Sequence, residues 1–261
     1  MTTVLEAAPT RTVSRPWPTP LLVTGVLGWV TVVLLVDAHS TLAVQRVLGL
    51  VTWCVLAAML ARESPLVRVQ TAVVVVFASL VEYTFSPFLG VYLYRFDNVP
   101  AYVPPGHGLV YLAALAIGRT IWVRTHARAL ARGVAVVGGC WASYGMFLAA
   151  RPDVLGAFWF GCLLAFLRWG PSRGLYVGAF LVVSYLELLG TGLGTWAWQE
   201  HDPTGLVPIG NPPSGAAGGY GWFDLAALLL GPAILAAGTT VSRRLPTGAG
   251  RARPPSVGAE R

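Results

Sequence analysis

The sequence predicts an all-α membrane protein, a polytopic bundle of about eight transmembrane helices built as two parallel four-helix repeats. Three observations predict it. Hydrophobic residues make up 55% of the chain and charged residues 11%, with a mean hydropathy of +0.65, a membrane balance rather than that of a soluble core. The apolar runs are continuous and do not alternate, which favours helices over a β-barrel. A polar pattern in the first half also recurs in the second.

Taken in order, the spans read as residues 20–36, 42–61, 69–83, 107–123, 133–150, 154–167, 174–189 and 219–241. Several fall short of the roughly 20 residues a span needs, the sixth most clearly. Residues 1–19 form a cytoplasmic N-terminal segment, polar with Pro and Thr. The first apolar run has no small-residue cleavage site, so no removed signal peptide is expected. Residues 20–124 make the first repeat and 125–244 the second. The tail 245–261, rich in Arg, Pro and Gly, reads as disordered. Cys54, Cys140 and Cys162 lie in apolar runs without C-x-x-C spacing and read as inert packing residues.

The repeat carries the functional reading. Around Glu82 the chain runs S-L-V-E-Y-T-F-S-P-F-L-G-V-Y-L-Y, and around Glu187 it runs S-Y-L-E-L-L-G-T-G-L-G-T-W-A-W. Both copies are S-x-x-E followed by G-x-aromatic-x-aromatic. Each then reaches a Pro-Pro pair (Pro104/Pro105 and Pro212/Pro213) and a matched helix start, G-H-G-L-V-Y-L-A-A against G-Y-G-W-F-D-L-A-A. His107 thereby corresponds to Tyr220, and Tyr111 to Asp224. An even number of spans per repeat inserts both halves in one orientation, hence the parallel arrangement.

All eighteen basic residues are Arg. With eight spans and both termini inside, the cytoplasmic segments collect Arg62, Arg68, Arg124, Arg128, Arg132, Arg168 and Arg173, whereas the outer loops hold only Arg95 and Arg151. That asymmetry satisfies the positive-inside rule; the expected location is a bacterial-type inner membrane. The asymmetry also accounts for the net charge of +7 without a nucleic-acid partner, for which no basic stripe with interleaved aromatics exists.

This topology puts Glu82, Glu187, His107 and Asp224 near the outer ends of their spans. The two long outer loops, 84–106 and 188–218, are expected to fold back as lids or re-entrant segments, because irregular backbone at membrane depth survives only against protein or a wet cavity. An ionisable residue inside a span is by default a functional candidate. Glu82, Glu187, Asp224 and His107 are therefore the candidate catalytic groups. An apolar cavity favours the neutral form of a carboxylic acid, a proton donor, and a neighbouring carboxylate can take a proton back. Tyr92, Tyr94, Trp196 and Trp198 offer aromatic faces to a developing cation. Tyr111, Tyr220, Asn211 and Arg46 complete the expected substrate-binding set, with Arg46 pairing an acid or a lipid phosphate.

Plainer roles compete. The two Glu side chains can hydrogen-bond loop backbone, and the aromatic segments can be interfacial belts. His107 can serve as a helix-end hydrogen-bonder, and Arg95 can pair with Asp97 at the surface. The chain has no H-E-x-x-H, P-loop, aspartate-rich or His-box motif, which argues against zincin, ATPase, prenyl-diphosphate and di-iron chemistry. Neither a metal nor a cofactor is expected.

The stretch E-L-L-G-T-G-L-G-T-W-A-W, with Val207-Pro208 following it, resembles the signature of the carotenoid-biosynthesis membrane proteins of the hydratase type. The resemblance covers some thirty residues per half and implies cofactor-independent addition of water to a double bond of an acyclic carotenoid. It carries Glu187, Gly194, Trp196 and Trp198 into the site, with Glu82, Gly90, Tyr92 and Tyr94 as the first-half set. Trp stands where the family has Tyr, the family's Pro-Phe-Gly wording is missing, and the run Asn211–Tyr220 has no counterpart in it. The expected activity is acid–base hydration, cyclisation or isomerisation of an isoprenoid or other membrane lipid in an outer-leaflet cavity. The rival reading is a transporter or lipid-binding protein that uses the paired acids for binding or proton coupling. A purely structural partner would leave the duplicated acids unexplained.

Overall fold

A computed structural model describes residues 16–244, with side chains as far as residue 238. The expected tail and most of the expected N-terminal segment lie outside the described residues. In order, the elements are α1 (Thr19–His39), α2 (Leu42–Leu60), α3 (Pro65–Tyr83), a π-turn (Thr84–Phe88), β1 (Tyr92–Tyr94), α4 (Val103–Arg119), α5 (Ile121–Phe147), α6 (Val154–Trp169), α7 (Arg173–Gly192), β2 (Trp196–Trp198) and α8 (Ala216–Arg244). The eight apolar runs thus become eight α-helices.

Length and composition qualify five of them to cross a membrane: α1, α2, α3 with its π-turn, α7 and α8. Helices α4 and α5 pass that test only together and are bent by 95° between them, while α6 is apolar but shorter. Among the described residues the chain is mainly helical, with five helices, or six if the bent pair is one span, long and apolar enough to cross a membrane.

Local chemistry sets the helix boundaries. Ser64, Thr120, Asp153 and Ser172 each accept a backbone N–H in the first turn of the helix that follows, satisfying a donor that has no intrahelical partner. Pro65 and Pro104 sit in first turns, where a missing N–H costs nothing. The expected loop at 124–132 is helical instead. Thr120 is extended, ends α4 and caps α5 through Oγ1, and no Gly or Pro follows it before Gly133. The fourth span accordingly stops at Arg119 rather than residue 123. Only His126, at φ −101° and ψ 15°, departs from helical geometry inside α5.

Helices α3, α4, α7 and α8 form the centre, α4 packing chiefly on α7 and α3 on α8. Small residues permit this closeness, as in membrane helix pairs generally. A Cβ on Gly178 would collide with the Ala114 backbone, and one on Gly118 with the Gly174 backbone. Tyr111, Leu112, Leu175, Tyr176 and Val183 fill the interior. The cysteines are free, but Cys54 and Cys140 are exposed and Cys162 is half-buried. The expectation of packing residues therefore fails for the first two, which the helix rotation turns to the outer face.

Candidate functional site

The site begins with two glycines. Gly90 and Gly194 have φ of +65° and +69°, a left-handed conformation that a side chain disfavours. Each ends the irregular turn after a Glu-bearing helix and starts a three-residue strand. In the first half the turn is π-wound around Pro87, whose ring cannot continue an ordinary helix.

The two strands pair with each other. β1 and β2 run antiparallel, with Tyr92 opposite Trp198, Leu93 opposite Ala197 and Tyr94 opposite Trp196. Side chains alternate along a strand, so all four aromatics turn inward and are buried while Leu93 and Ala197 face out. The expected lid loops are thus one ribbon closing the end of the bundle, and the aromatics are no interfacial belt.

Beneath the ribbon each aromatic pair holds the Glu of its own half. The Tyr92 and Tyr94 hydroxyls donate to Glu82 Oε2 at 2.9 and 2.8 Å. The Trp196 and Trp198 indoles donate to Glu187 Oε2 at 3.1 and 3.2 Å. The Glu carboxyls therefore bind loop side chains and not loop backbone. The halves differ at the next helix: His107 Nε2 meets Glu82 Oε1 at 2.8 Å, whereas the Tyr220 hydroxyl interacts with Glu187. The rings of His107 and Tyr220 stack on each other, centroids 5.0 Å apart, so the two acid clusters meet where the sequence makes them unequal.

Both clusters line one cavity of about 300 Å³, at the lower end of the range for small-molecule pockets. Besides the acids and their partners, its wall is apolar and aromatic, with Trp29, Phe77, Trp159, Leu186 and Phe223 prominent. The Tyr92 and Trp198 rings lie 4.5 Å apart in it. Seven expected residues are thus assembled around Glu187: Glu82, His107, Tyr92, Tyr94, Trp196, Trp198 and Tyr220.

Four expected residues fall outside the cavity wall. Arg46 is exposed and has neither an ion pair nor a hydrogen bond among the described residues, because its helix turns Gln45 inward instead. Asn211 is exposed and accepts the Trp198 backbone N–H through Oδ1 at 3.1 Å, which fixes the ribbon from outside. Tyr111 and Asp224 lie one turn farther along α4 and α8 than His107 and Tyr220. There, with Tyr176, they form a second buried group in which Tyr111 Oη, Tyr176 Oη and Asp224 Oδ2 have no hydrogen-bond partner.

Two buried acids that sequence reasoning passed over fasten the ribbon. Asp37 accepts from the Tyr102 hydroxyl at 2.9 Å and from Gln45 at 3.0 Å, and Gln45 in turn accepts from Asn98. Arg95 does not pair with Asp97; it donates to the Asp37 and Ser40 carbonyls, tying the first loop to the α1–α2 turn. Asp153 accepts the Gly156, Gly210 and Ser214 backbone N–H groups at 2.9, 2.8 and 2.7 Å. Arg151 donates to the Ile209, Trp198 and Gln199 carbonyls. The signal available was positional: each half carries an Asp at the turn between its first two helices.

Among the described residues no three His, Cys, Asp or Glu side chains gather as a metal site. No family model matches the chain, and no curated protein or solved structure is similar to it.

Proposed function

We propose that this protein is a membrane-embedded enzyme that protonates a double bond of an apolar lipid, isoprenoid in class, and needs no cofactor to do so. One observation carries the reading: two carboxyls, each held by its own aromatic pair, face a single apolar cavity, and only one of them has an imidazole partner.

The hydrogen bonds support a division of roles. Both indoles fall on Glu187 Oε2, leaving Oε1 clear of them to carry a proton. Both oxygens of Glu82 are engaged, one by two phenols and the other by His107, so this cluster is the acceptor. The Glu187 proton adds to one carbon of the double bond, whose π pair forms the new C–H bond and leaves a cation on the neighbouring carbon. The aromatic faces of Tyr92, Trp198 and Trp159 stabilise that cation. Water then adds to it and releases a proton to the Glu82–His107 pair, giving an alcohol. Loss of an adjacent proton instead gives a shifted alkene, or a cyclised one where the π pair of a second double bond of the same chain first attacks the cation to close a ring. A proton passed back from the Glu82–His107 pair, through water in the cavity, to Glu187 closes the cycle. The resemblance to the carotenoid hydratase type agrees with this class, and the cavity volume suits one end of a long polyene.

The same reading takes all eight helices as spans, arranged as two parallel repeats with both termini in the cytoplasm. The ribbon supports it. Exchanging repeat-equivalent residues maps the pairing Tyr92–Trp198 onto Trp196–Tyr94 and leaves Leu93–Ala197 in place. The local two-fold axis is then perpendicular to a ribbon whose one face looks into the bundle, along the membrane normal. The α4–α7 and α3–α8 contacts exchange under the same operation.

A carrier is the second reading. It is favoured by the unpartnered Asp224, Tyr111 and Tyr176 lying beyond the cavity, where polar groups of a transport path would be needed. The test is product formation from acyclic isoprenoid polyenes in membranes holding equal amounts of each form. Glu187→Gln should lower turnover by about 10²–10⁴-fold, the usual contribution of a general acid. Wild-type turnover in Glu187→Gln and Glu82→Gln alike would remove the acid–base proposal. A wild-type protein that moves labelled isoprenoid across vesicles without altering it would establish the carrier.

A further inference from the structure

A second concave feature lies far from the acids. Arg128 and Arg132, four residues apart, share one side of α5; Arg124 reaches the same place from before the break at His126, and Arg173 at the start of α7 closes the group. With Thr125 and His126 they line a pocket of about 470 Å³. It is separated from Glu187 by most of α7, roughly 21 Å along the axis at 1.5 Å per residue.

No acid lines this pocket. The guanidinium groups of Arg124, Arg128 and Arg132 have no hydrogen bond or ion pair among the described residues, and that of Arg173 spends only Nε, on the Leu167 carbonyl at 2.8 Å. The acid at this end of the bundle, Glu63, is engaged by Arg119 at 3.5 Å. Like charges at four-residue spacing destabilise a helix, so the unbalanced guanidinium groups are a standing cost. An anion with several oxygens removes that cost. The planar guanidinium fork matches phosphate in particular, through paired charge-assisted hydrogen bonds.

The surroundings suit a membrane surface. Trp122, 61% exposed, stands one turn before His126 and holds its imidazole, His126 Nδ1 lying 2.9 Å from the Trp122 carbonyl. Exposed Trp favours the headgroup level. Beyond Gly133 the same helix turns apolar with Val136 and Val137 exposed. Basic pockets between membrane helices bind phosphate headgroups.

We infer that this arginine pocket is a binding site for phosphate groups, supplied by an anionic lipid headgroup or by a soluble phosphate. The site is separate from the acid-lined cavity and does not depend on the reaction proposed there.

The full-length protein in neutral detergent tests this through its thermal unfolding midpoint and through lipid retained after purification. Phosphatidylglycerol, phosphatidylcholine and inorganic pyrophosphate serve as separate probes. Phosphatidylglycerol is expected to raise the midpoint of the wild type. In the R124Q/R128Q/R132Q variant its affinity should be about a hundredfold weaker, since each arginine near a membrane surface is worth about fivefold. Because these side chains are exposed and unpartnered, the variant should fold; R128Q alone, about fivefold weaker, guards against a folding defect. A shift with phosphatidylglycerol only identifies the headgroup as the source, and an arginine-dependent shift with pyrophosphate identifies a soluble phosphate. Equal shifts in wild type and variant, or no shift with either anion, would overturn the inference.

Discussion

Glu82 gathers two phenols and an imidazole, and Glu187 gathers two indoles and a phenol. Such a carboxyl has two separable jobs, anchoring the ribbon and moving a proton, and substitutions divide them. A glutamine keeps an oxygen to accept from both phenols or both indoles. Alanine leaves each buried donor unpaired, at about 1–3 kcal/mol apiece. Glu82→Ala should therefore lower the thermal midpoint in detergent markedly, whereas Glu82→Gln and Glu187→Gln should stay close to wild type. Amide variants as unstable as the alanine ones would mean that the charge itself holds the ribbon. Outside the helices, Asp202 gives a pH test. Its carboxyl accepts the Val207 backbone N–H first, then the Thr204 hydroxyl and the Thr204 and Leu206 N–H groups. These bonds hold it below the ordinary carboxylate range. Its contribution is present above the unfolded value and is lost as pH falls through the lowered one. Amide exchange at Val207, corrected for intrinsic rate, should accelerate there in wild type and show no such step in Asp202→Asn.

The ribbon is the element on which the site depends, and its glycines and clamps are its weak points. Gly90 and Gly194 have positive φ, and alanine in that conformation costs about 1–2 kcal/mol. Gly194→Ala and Gly90→Ala should each destabilise by about that amount. They should also speed proteolysis within residues 84–102 or 193–210, read by mass spectrometry of limited digests. Unchanged cleavage in both would mean that the strands hold without their turns. Arg151→Ala should release the second strand more than the first, because its three carbonyl partners all lie in the 198–209 stretch. The clamps also show why hydropathy alone missed Asp37 and Asp153. Their partners include groups remote in sequence, Tyr102 for Asp37 and Gly210 and Ser214 for Asp153, and no local period marks them. The helices fared better: a continuous apolar run folds as a helix whatever its neighbours do; several begin earlier than expected, α5 by the most, through the Thr120 cap.

At the scale of the molecule, the proposed topology puts the ribbon outside and the arginine pocket inside. Single cysteines at Arg95 and Glu200 should react with an impermeant thiol reagent in intact cells, and one at Arg128 should react only after lysis. Background Cys54, Cys140 and Cys162 are removed first, since two of them are exposed on their helices. Labelling at Arg128 in intact cells together with protection at Arg95 would invert the topology. An experimental structure should superpose residues 20–119 on 133–238 about an axis along the bundle, Glu82 falling on Glu187 and Tyr111 near Asp224.

The amino-acid sequence by itself determined the helical class with its membrane-length apolar runs, the duplicated Glu-aromatic motif and the asymmetry of His107 against Tyr220. These are local or self-similar properties, readable wherever the residues occur. Only the tertiary structure decided that the two loops pair with each other, that indoles and phenols point at the acids, and that Asp224, Tyr111, Asn211 and Arg46 stand outside the cavity. The physical reason is rotation and pairing over distance. Which face of a helix looks inward is set by its packing against other helices, and β1 finds its partner about 100 residues farther along the chain. Neither is encoded in any window of sequence short enough to read alone.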